Sequence, residues 1–405
     1  MRKIGALPLA CLLTLVFLLG LAAGGWKTGA NTAEGQETYD YRRTYVEALE
    51  AVKEHYVDDV KEKDLIYASI EGMVGSLDPH SDFLTPDMFR EAETETKGEF
   101  GGIGIEIDVK GGFPTVVATM DGTPASKAGL RPGDRIVMID GVPTGGMSLD
   151  QVVDRLRGRK GMPVMLGVTR EGSAQPMELP MVRDIIRMKS VTFRMLEEGY
   201  GYIRIAEFQE RTGEDLETAV DVLRKSGALK GILLDLRGNP GGLLEQAANV
   251  ADRFLSPHLL ITYTKGRAEE QNIKFFSRSE DAYLGPLVVL VNGRSASASE
   301  VVAGALQDRR RAIIVGTRTF GKGSVQSTFP LSDGSALRLT TSRYYTPSGR
   351  SIQADGIHPD LVVDDDVQRK ERDGQGLRDR TAKADDFQLA MGLRALKNWG
   401  ALKGE

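Results

Sequence analysis

The chain has 405 residues, 41% hydrophobic and 27% charged, which is a length for two or three domains and the composition of an ordinary folded protein. A formal charge of −5 gives no basis for a nucleic-acid surface, so no nucleic-acid partner is expected. The single cysteine, Cys11, excludes an internal disulfide and is compatible with an oxidising compartment.

The first segment reads as an address. Arg2 and Lys3 precede an apolar run over residues 4–23, the pattern of a secretory signal. A run of about 20 residues is also long enough to span a bilayer. Leu21-Ala22-Ala23 offers a weak cleavage site, so residues 1–25 are expected to be either a cleaved signal or a retained membrane anchor. Export follows from both readings. The expected location is periplasmic or extracytoplasmic, at the inner membrane if the anchor is kept, with membrane contact through the N-terminal segment. Cys11 sits too deep in the run, without a suitably placed leucine, for a lipoprotein. Residues 26–38 read as a linker.

Residues 39–96 are expected as an N-terminal helical region, with helical spacing over residues 39–76. Tyr45, Leu49, Val52 and Tyr56 form one apolar stripe, and Leu65, Ile66, Ile70 and Val74 another. Such helices could form a dimerisation arm. In Leu77-Asp78-Pro79-His80-Ser81, His80 follows a proline and reads as a structural turn residue.

Residues 97–184 change texture. Gly101-Gly102-Ile103-Gly104-Ile105 opens a series of short strands, with one over residues 115–118. Ser126-Lys127-Ala128-Gly129-Leu130-Arg131-Pro132-Gly133-Asp134 and a turn at Asp140-Gly141 come next. A short helix over residues 148–156 is capped by Ser148, and residues 164–169 form a last strand. The segment resembles a PDZ domain over its whole length. That resemblance implies a loop, Gly102, Ile103, Gly104 and Ile105, offering N–H groups to the carboxylate of a peptide that adds as a strand.

The remainder alternates strands and helices. Strands are expected at residues 201–205, 231–237 and 287–291, and helices at 215–224 and 243–255. After the second strand comes Gly238-Asn239-Pro240-Gly241-Gly242, a glycine loop before a helix N-terminus, where an anion would be stabilised. After the third, Asn292-Gly293 marks a turn into Ser295-Ala296-Ser297-Ala298-Ser299-Glu300, and a helix begins near Ser297 to Ser299. A serine there would lie beside unpaired N–H groups. It needs a base, and none of the four histidines, His55, His80, His258 and His358, lies in a nucleophile motif. Lys322, between Gly321 and Gly323 and beyond an apolar run at residues 312–315, could serve if burial keeps it neutral. Two other readings stand beside this one: a serine-rich helix cap, and a phosphate loop from Gly316 to Lys322, whose final Ser or Thr is replaced by Gly323.

The motifs SASASE and TFGKGSVQ resemble those of the tail-specific, or carboxyl-terminal processing, proteases, and the likeness runs from about residue 39 to 364. It implies an α/β protease core, residues 185–363, joined to a mainly β PDZ domain and N-terminal helices. Ser297 is implied as nucleophile, Lys322 as base and Gln326 as the residue orienting it. Ala298 and either Gly241 or Gly242 are implied as the oxyanion hole. No metal and no organic cofactor are expected. Asp308 is assigned a structural or supporting role, and His358, in Gly356-Ile357-His358-Pro359-Asp360, a turn.

Strands are expected at residues 336–340 and 343–345, then a charged tail over 364–380. A helix over 385–399 would dock on the core or on a second subunit. The expected function is a serine endopeptidase acting on proteins with exposed C-terminal tails. An adaptor protein and a homo-oligomer are further partners left open. The alternative is a PDZ scaffold or chaperone that binds tails without cutting; a phosphate-binding ATPase is a third reading.

Overall fold

The structure, a computed structural model, describes residues 40–173, 176–364 and 386–403. The expected signal or anchor and the linker lie outside the described residues, as does the charged tail beyond Asp364. The chain divides into two units, residues 1–68 and 69–405.

In the first unit, α1 (Tyr41–His55) buries no residue, and Tyr45, Val52 and the following Tyr56 of the expected stripe are exposed. Helix α2 (Glu62–Gly75) begins in this unit and ends in the second.

In the second unit, β1 (Asp82–Leu84) and α3 (Pro86–Thr96) lead into three strands joined by short turns: β2 (Glu99–Gly102), β3 (Ile105–Lys110) and β4 (Phe113–Thr119). After the short helix α4 (Pro124–Lys127) come β5 (Arg135–Ile139) and β6 (Val142–Pro143), joined through Asp140 and Gly141 at φ 48° and 79°. Both residues sit in the left-handed region that a two-residue hairpin with the sheet's twist requires. Helix α5 (Leu149–Leu156) is capped by Ser148, whose Oγ accepts from Gln151 N at 3.3 Å while its own N–H donates to Gln151 Oε1 at 2.9 Å. Strands β7 (Pro163–Thr169), β8 (Met177–Val182) and β9 (Asp184–Arg187) complete this region.

The sheet order is β3-β4-β5-β7-β8, with β6 on β5, around a core that includes Val116, Ile136, Val152 and Leu166. The expectation that residues 164–169 are the last strand fails. Strand β8 pairs along β7, and β9 pairs with β2. Pro180 hid β8 in the sequence, yet a proline is tolerated there because β8 is an edge strand.

The region that follows is built on β10 (Val191–Glu197), β11 (Tyr200–Ile205), α6 (Thr212–Lys225), β12 (Gly231–Asp235), α7 (Leu244–Asp252), β13 (Leu260–Gly266), β14 (Lys274–Phe276), β15 (Leu287–Val291), α8 (Ala298–Asp308) and β16 (Ile313–Gly316). Then follow β17 (Ser324–Pro330), β18 (Ala336–Tyr345), β19 (Leu361–Val362), α9 (Phe387–Lys397) and α10 (Trp399–Lys403). One sheet has the order β10-β11-β12-β15-β16-β19 and is parallel from β11 onward. Strands β12 and β15 are buried at every residue, which is why they read as continuous apolar runs. Alternate side chains divide between two faces. Leu234, Val289 and Val291 pack with α6, α7 and α8, whereas Leu233, Val288 and Leu290 pack with α9. The C-terminal helix therefore docks on the core, one of the two placements expected for it.

A second sheet has the order β1-β18-β13-β14, with β17 also on β18. Residues 336–340 and 343–345, read as two strands, are one continuous strand. Ser342 pairs with Gly266 and Val325, and Thr341 is the extra residue of a bulge between Ser342 and Thr340, so the strand bends without stopping.

Candidate active site

The end of β12 and the end of β15 are neighbours in the parallel sheet, so the loops that follow them meet. Asn292 Oδ1 accepts from Gly238 N at 3.0 Å, tying the β15 turn to the β12 loop. Of the three serines that follow, two are used for the same purpose. Ser295 Oγ donates to Leu236 O at 2.8 Å, and Ser299 Oγ donates to Asn239 O at 3.1 Å; both serines are fully buried. Ser297 is left partly exposed, lining a cleft of about 340 Å³ with Ala298, Gly242, Val325, Gln326 and Tyr344. Its backbone, at φ 55° and ψ −115°, lies outside the regions that a side chain favours, as at strained functional turns. Helix α8 begins at the next residue.

Asn239 decides which loop glycine faces the cleft. Its Oδ1 accepts from Gly241 N at 2.9 Å, and its Nδ2 donates to Ile205 O at 3.0 Å. Gly241 is buried with its N–H occupied, while Gly242 is exposed and lines the cleft. Among the described residues, neither Gly242 N–H nor Ala298 N–H finds a hydrogen-bond acceptor. Two uncommitted N–H groups therefore flank Ser297, one of them at the start of a helix, where the dipole favours an anion.

Lys322 reaches this region from the loop between β16 and β17. A Cβ on Gly323 would stand 2.5 Å from Gln353 N, and one on Gly321, at φ 94°, 3.1 Å from Ala354 C, so close packing by that loop requires both glycines. The lysine is half-buried and borders a cavity of about 520 Å³ with Asp78, His80, Gln326 and Arg338. Burial pulls its ammonium below the ordinary value, the charge of Arg338 pulls further, and Asp78 opposes both. No hydrogen bond acts on its amine among the described residues.

Gln326 and Arg338 border both the Ser297 cleft and the Lys322 cavity. Gln326 Nε2 donates to Ser324 Oγ at 3.0 Å and to Thr340 Oγ1 at 3.2 Å, so Gln326 stands on the shared wall with its amide directed to β17 and β18. Tyr344 is buried there too. Its hydroxyl donates to Lys322 O and faces the Ser297 hydroxyl, and burial, opposed only in part by Ser297, pushes its pKa far above that of an ordinary phenol.

Glu300 was not singled out in the sequence. It is fully buried under the Ser297 turn, and its carboxylate accepts from Ser297 N at 2.8 Å and from Lys322 N at 2.9 Å. A serine followed three residues later by glutamate was the available signal. Asn239, Tyr344, Asp78 and Arg338 had no comparable local signal.

Asp308 and His358 lie apart from this chemistry, whereas His80 borders the Lys322 cavity. Asp308 accepts from Ser348 N at 2.9 Å and pairs with Arg350, a structural tie. His358 is exposed and pairs with Asp355. His80 is a turn residue whose N–H donates to Asp78 at 2.8 Å.

In the region from residue 97 to 184, Ile103 is buried and Gly104 turns the chain at φ 77° into Ile105, the first residue of β3. Among the described strands, β4 alone pairs with β3, so the other edge of β3 is open. Ile105 and Ile107 line its inner side against the core.

The sequence profile of peptidase family S41 matches residues 199–363, and that of the PDZ domain residues 115–170. The chain is 45% identical over 348 residues to the carboxy-terminal-processing protease of Bartonella bacilliformis, covering 84% of this chain and 79% of that protein. It is 38% identical over 336 residues to the carboxyl-terminal-processing protease of Synechocystis sp., covering 81% and 77% respectively. A solved structure from Bacteroides fragilis, described as a candidate S41 protease, covers 86% of this chain and 93% of its own at 19% identity, with a TM-score of 0.52, a likeness of fold.

Proposed function

The chain belongs to the carboxy-terminal-processing proteases, serine peptidases of family S41, and from that premise we propose that it cleaves proteins held by their C-terminal tails, using Ser297 and Lys322 as its dyad. The tail adds as a strand to the open edge of β3, its carboxylate at the loop Gly102–Ile105. Ser297 Oγ attacks the scissile carbonyl carbon while its proton passes to the neutral amine of Lys322. The oxyanion is held by the N–H groups of Ala298 and Gly242. Lys322 then gives the proton to the departing amine, leaving an acyl-serine that water hydrolyses. Gln326 and Arg338 form the wall along which the lysine meets the serine.

One observation carries this reading: Ser297 is the serine of its motif left facing a cleft, between two uncommitted N–H groups. A neutral lysine is supported by the burial and positive charge acting on Lys322. The test is cleavage of an unfolded protein with an apolar C-terminal tail, without added metal or nucleotide. Wild type should cut, and Ser297→Ala and Lys322→Ala should not, while all three bind the tail peptide. Cleavage by either variant would sink the dyad.

The basic and apolar segment at residues 2–23 supports export. Among the described residues no helix is long and apolar enough to cross a membrane. Cell fractionation with and without residues 1–25 tests this; a full-length chain found in the cytoplasm would refute it. The apolar stripe of α1, exposed in this chain, supports pairing with a second copy. A Tyr45→Asp/Val52→Asp variant should lower the mass measured by light scattering, and an unchanged mass refutes the pairing.

A further inference from the structure

The carboxylate of Glu300 joins two segments that are distant in sequence. Oε2 accepts from Ser297 N at 2.8 Å and Lys322 N at 2.9 Å, and Oε1 accepts from Gly321 N at 2.7 Å and Thr319 Oγ1 at 2.5 Å. The nucleophile's peptide group and the base's peptide group thus rest on one oxygen atom.

Burial raises the pKa of Glu300 and its four hydrogen bonds oppose that, and the chemistry of those partners matches the ionised form. Three are backbone N–H groups, which can only donate. The fourth, Thr319 Oγ1, already accepts from Ile357 N at 2.6 Å, and its proton points to Glu300. Four donors converge on four lone-pair sites, which an ionised carboxylate satisfies and no amide can. A carboxamide would turn its NH2 toward N–H donors whichever way it faced, and a protonated carboxyl would do the same with one O–H. Glu300 is 0% exposed, so any unmatched donor here stays unmatched. The anion also holds Ser297 in its left-handed conformation, where the N–H must point inward for Oγ to face the cleft. Although its carboxylate holds the backbone of Lys322, Glu300 is not among the groups that shift the lysine's amine, which feels Arg338 and Asp78. It therefore places the base without pairing with it.

We propose that Glu300 is a positioning residue for the dyad: its buried anion fixes the distance between the peptide groups of Ser297 and Lys322. This rests on the dyad reading above. The test compares wild type, Glu300→Gln, Glu300→Asp, Ser297→Ala and Lys322→Ala for kcat and KM on the unfolded substrate, for PDZ binding of a tail peptide, and for affinity toward a peptide boronate. The boronate needs Ser297 Oγ and the oxyanion N–H groups in register. Glu300→Gln should lose at least about 100-fold in kcat, corresponding to two buried charge-assisted hydrogen bonds. It should lose a similar factor in boronate affinity, with KM and tail-peptide binding within threefold of wild type. Glu300→Asp keeps the charge but withdraws it by one methylene, and should lose kcat by about 30-fold or more with KM unchanged. Aspartate thus carries the test if glutamine does not fold. If the dyad variants are inactive while both Glu300 variants turn over within threefold of wild type, the clamp is wrong and the dyad stands. If the dyad variants remain active, the dyad reading itself has failed.

Discussion

Gly241 lies against the nucleophile's own side chain: a Cβ built on it would stand 2.7 Å from the Cβ of Ser297 and 3.0 Å from Ala296 O. Its φ of 117° is also one that side chains rarely adopt. The glycine thus lets the β12 loop approach the serine turn closely enough for Gly242 to face the same cleft. Gly241→Ala should cost about 1–3 kcal/mol in stability, read by urea unfolding, and about 100-fold in kcat. A variant with wild-type kcat would show that the two loops need not be this close.

The pH dependence follows from the charges around Lys322. The base must be neutral, and a lysine is neutral above its pKa. Burial first, then Arg338, lower that value from 10.5, so activity should rise along an alkaline limb centred below 10.5. Arg338→Gln removes a charge that disfavours the ammonium, so the limb should move to higher pH, by up to about one unit. Asp78→Asn removes the opposing charge and should move it lower. Limbs that do not move, measured as kcat/KM from pH 6 to 10, would exclude Lys322 as the titrating base.

Tail recognition should depend on the free carboxylate. A tail peptide ending in an amide loses the charge-assisted bonds to the glycine loop, about 1.5–3 kcal/mol, or roughly 10- to 150-fold in Kd. Gly104→Ala should weaken binding of the acid peptide as well, because its Cβ would lie 2.5 Å from the Cβ of Thr123 at a φ of 77°. Fluorescence anisotropy measures both. Equal affinity for acid and amide would mean that the groove reads internal segments instead.

The C-terminal helix should be acid-sensitive. Asp386 caps α9, and both its oxygens accept from Arg237 at 2.6 Å. Burial raises its pKa, but Arg237 and the Leu389 N–H outweigh that and hold it below 3.8. A depressed carboxylate adds stability above its ordinary value and loses it as pH falls through the lowered one. Asp386→Asn keeps a good cap and removes the charge. It should cost about 1 kcal/mol at pH 7, discounted because the side chain is 39% exposed, and less at pH 3, where the loss has begun. Chemical unfolding at both pH values checks the difference.

Local chemistry made much of this molecule legible. Leu287–Val291 read as buried because it has apolar neighbours on both faces, and Ser148 and Gln151 announced the α5 cap. Strand β8 and the continuity of β18 were hidden by residues whose meaning depends on position. Pro180 fits only because it is on an edge, and the hydroxyls of Ser327 and Thr341 read as loop until they pair at 2.7 Å across β17 and β18. In the site, the motif identified Ser297 but could not choose between Gly241 and Gly242, since the choice rests on where one asparagine oxygen points. Asp78 was unreadable for a different reason: Thr340, which donates to it at 3.2 Å, is 262 positions away.

Helix α9 covers the central strands β12, β15 and β16 on one face of the parallel sheet, packing on Leu233, Val288 and Leu290. It lies C-terminal to every strand it covers, so a ribosome makes the entire sheet before the helix that shields it. Through that interval, an apolar surface meant for the interior is open to whatever meets the growing chain. Any passenger fused behind residue 403 delays the same closure only if it obstructs the helix. Shortening the chain into α9, by contrast, leaves the surface bare for good, and the product should be sticky before it is inactive.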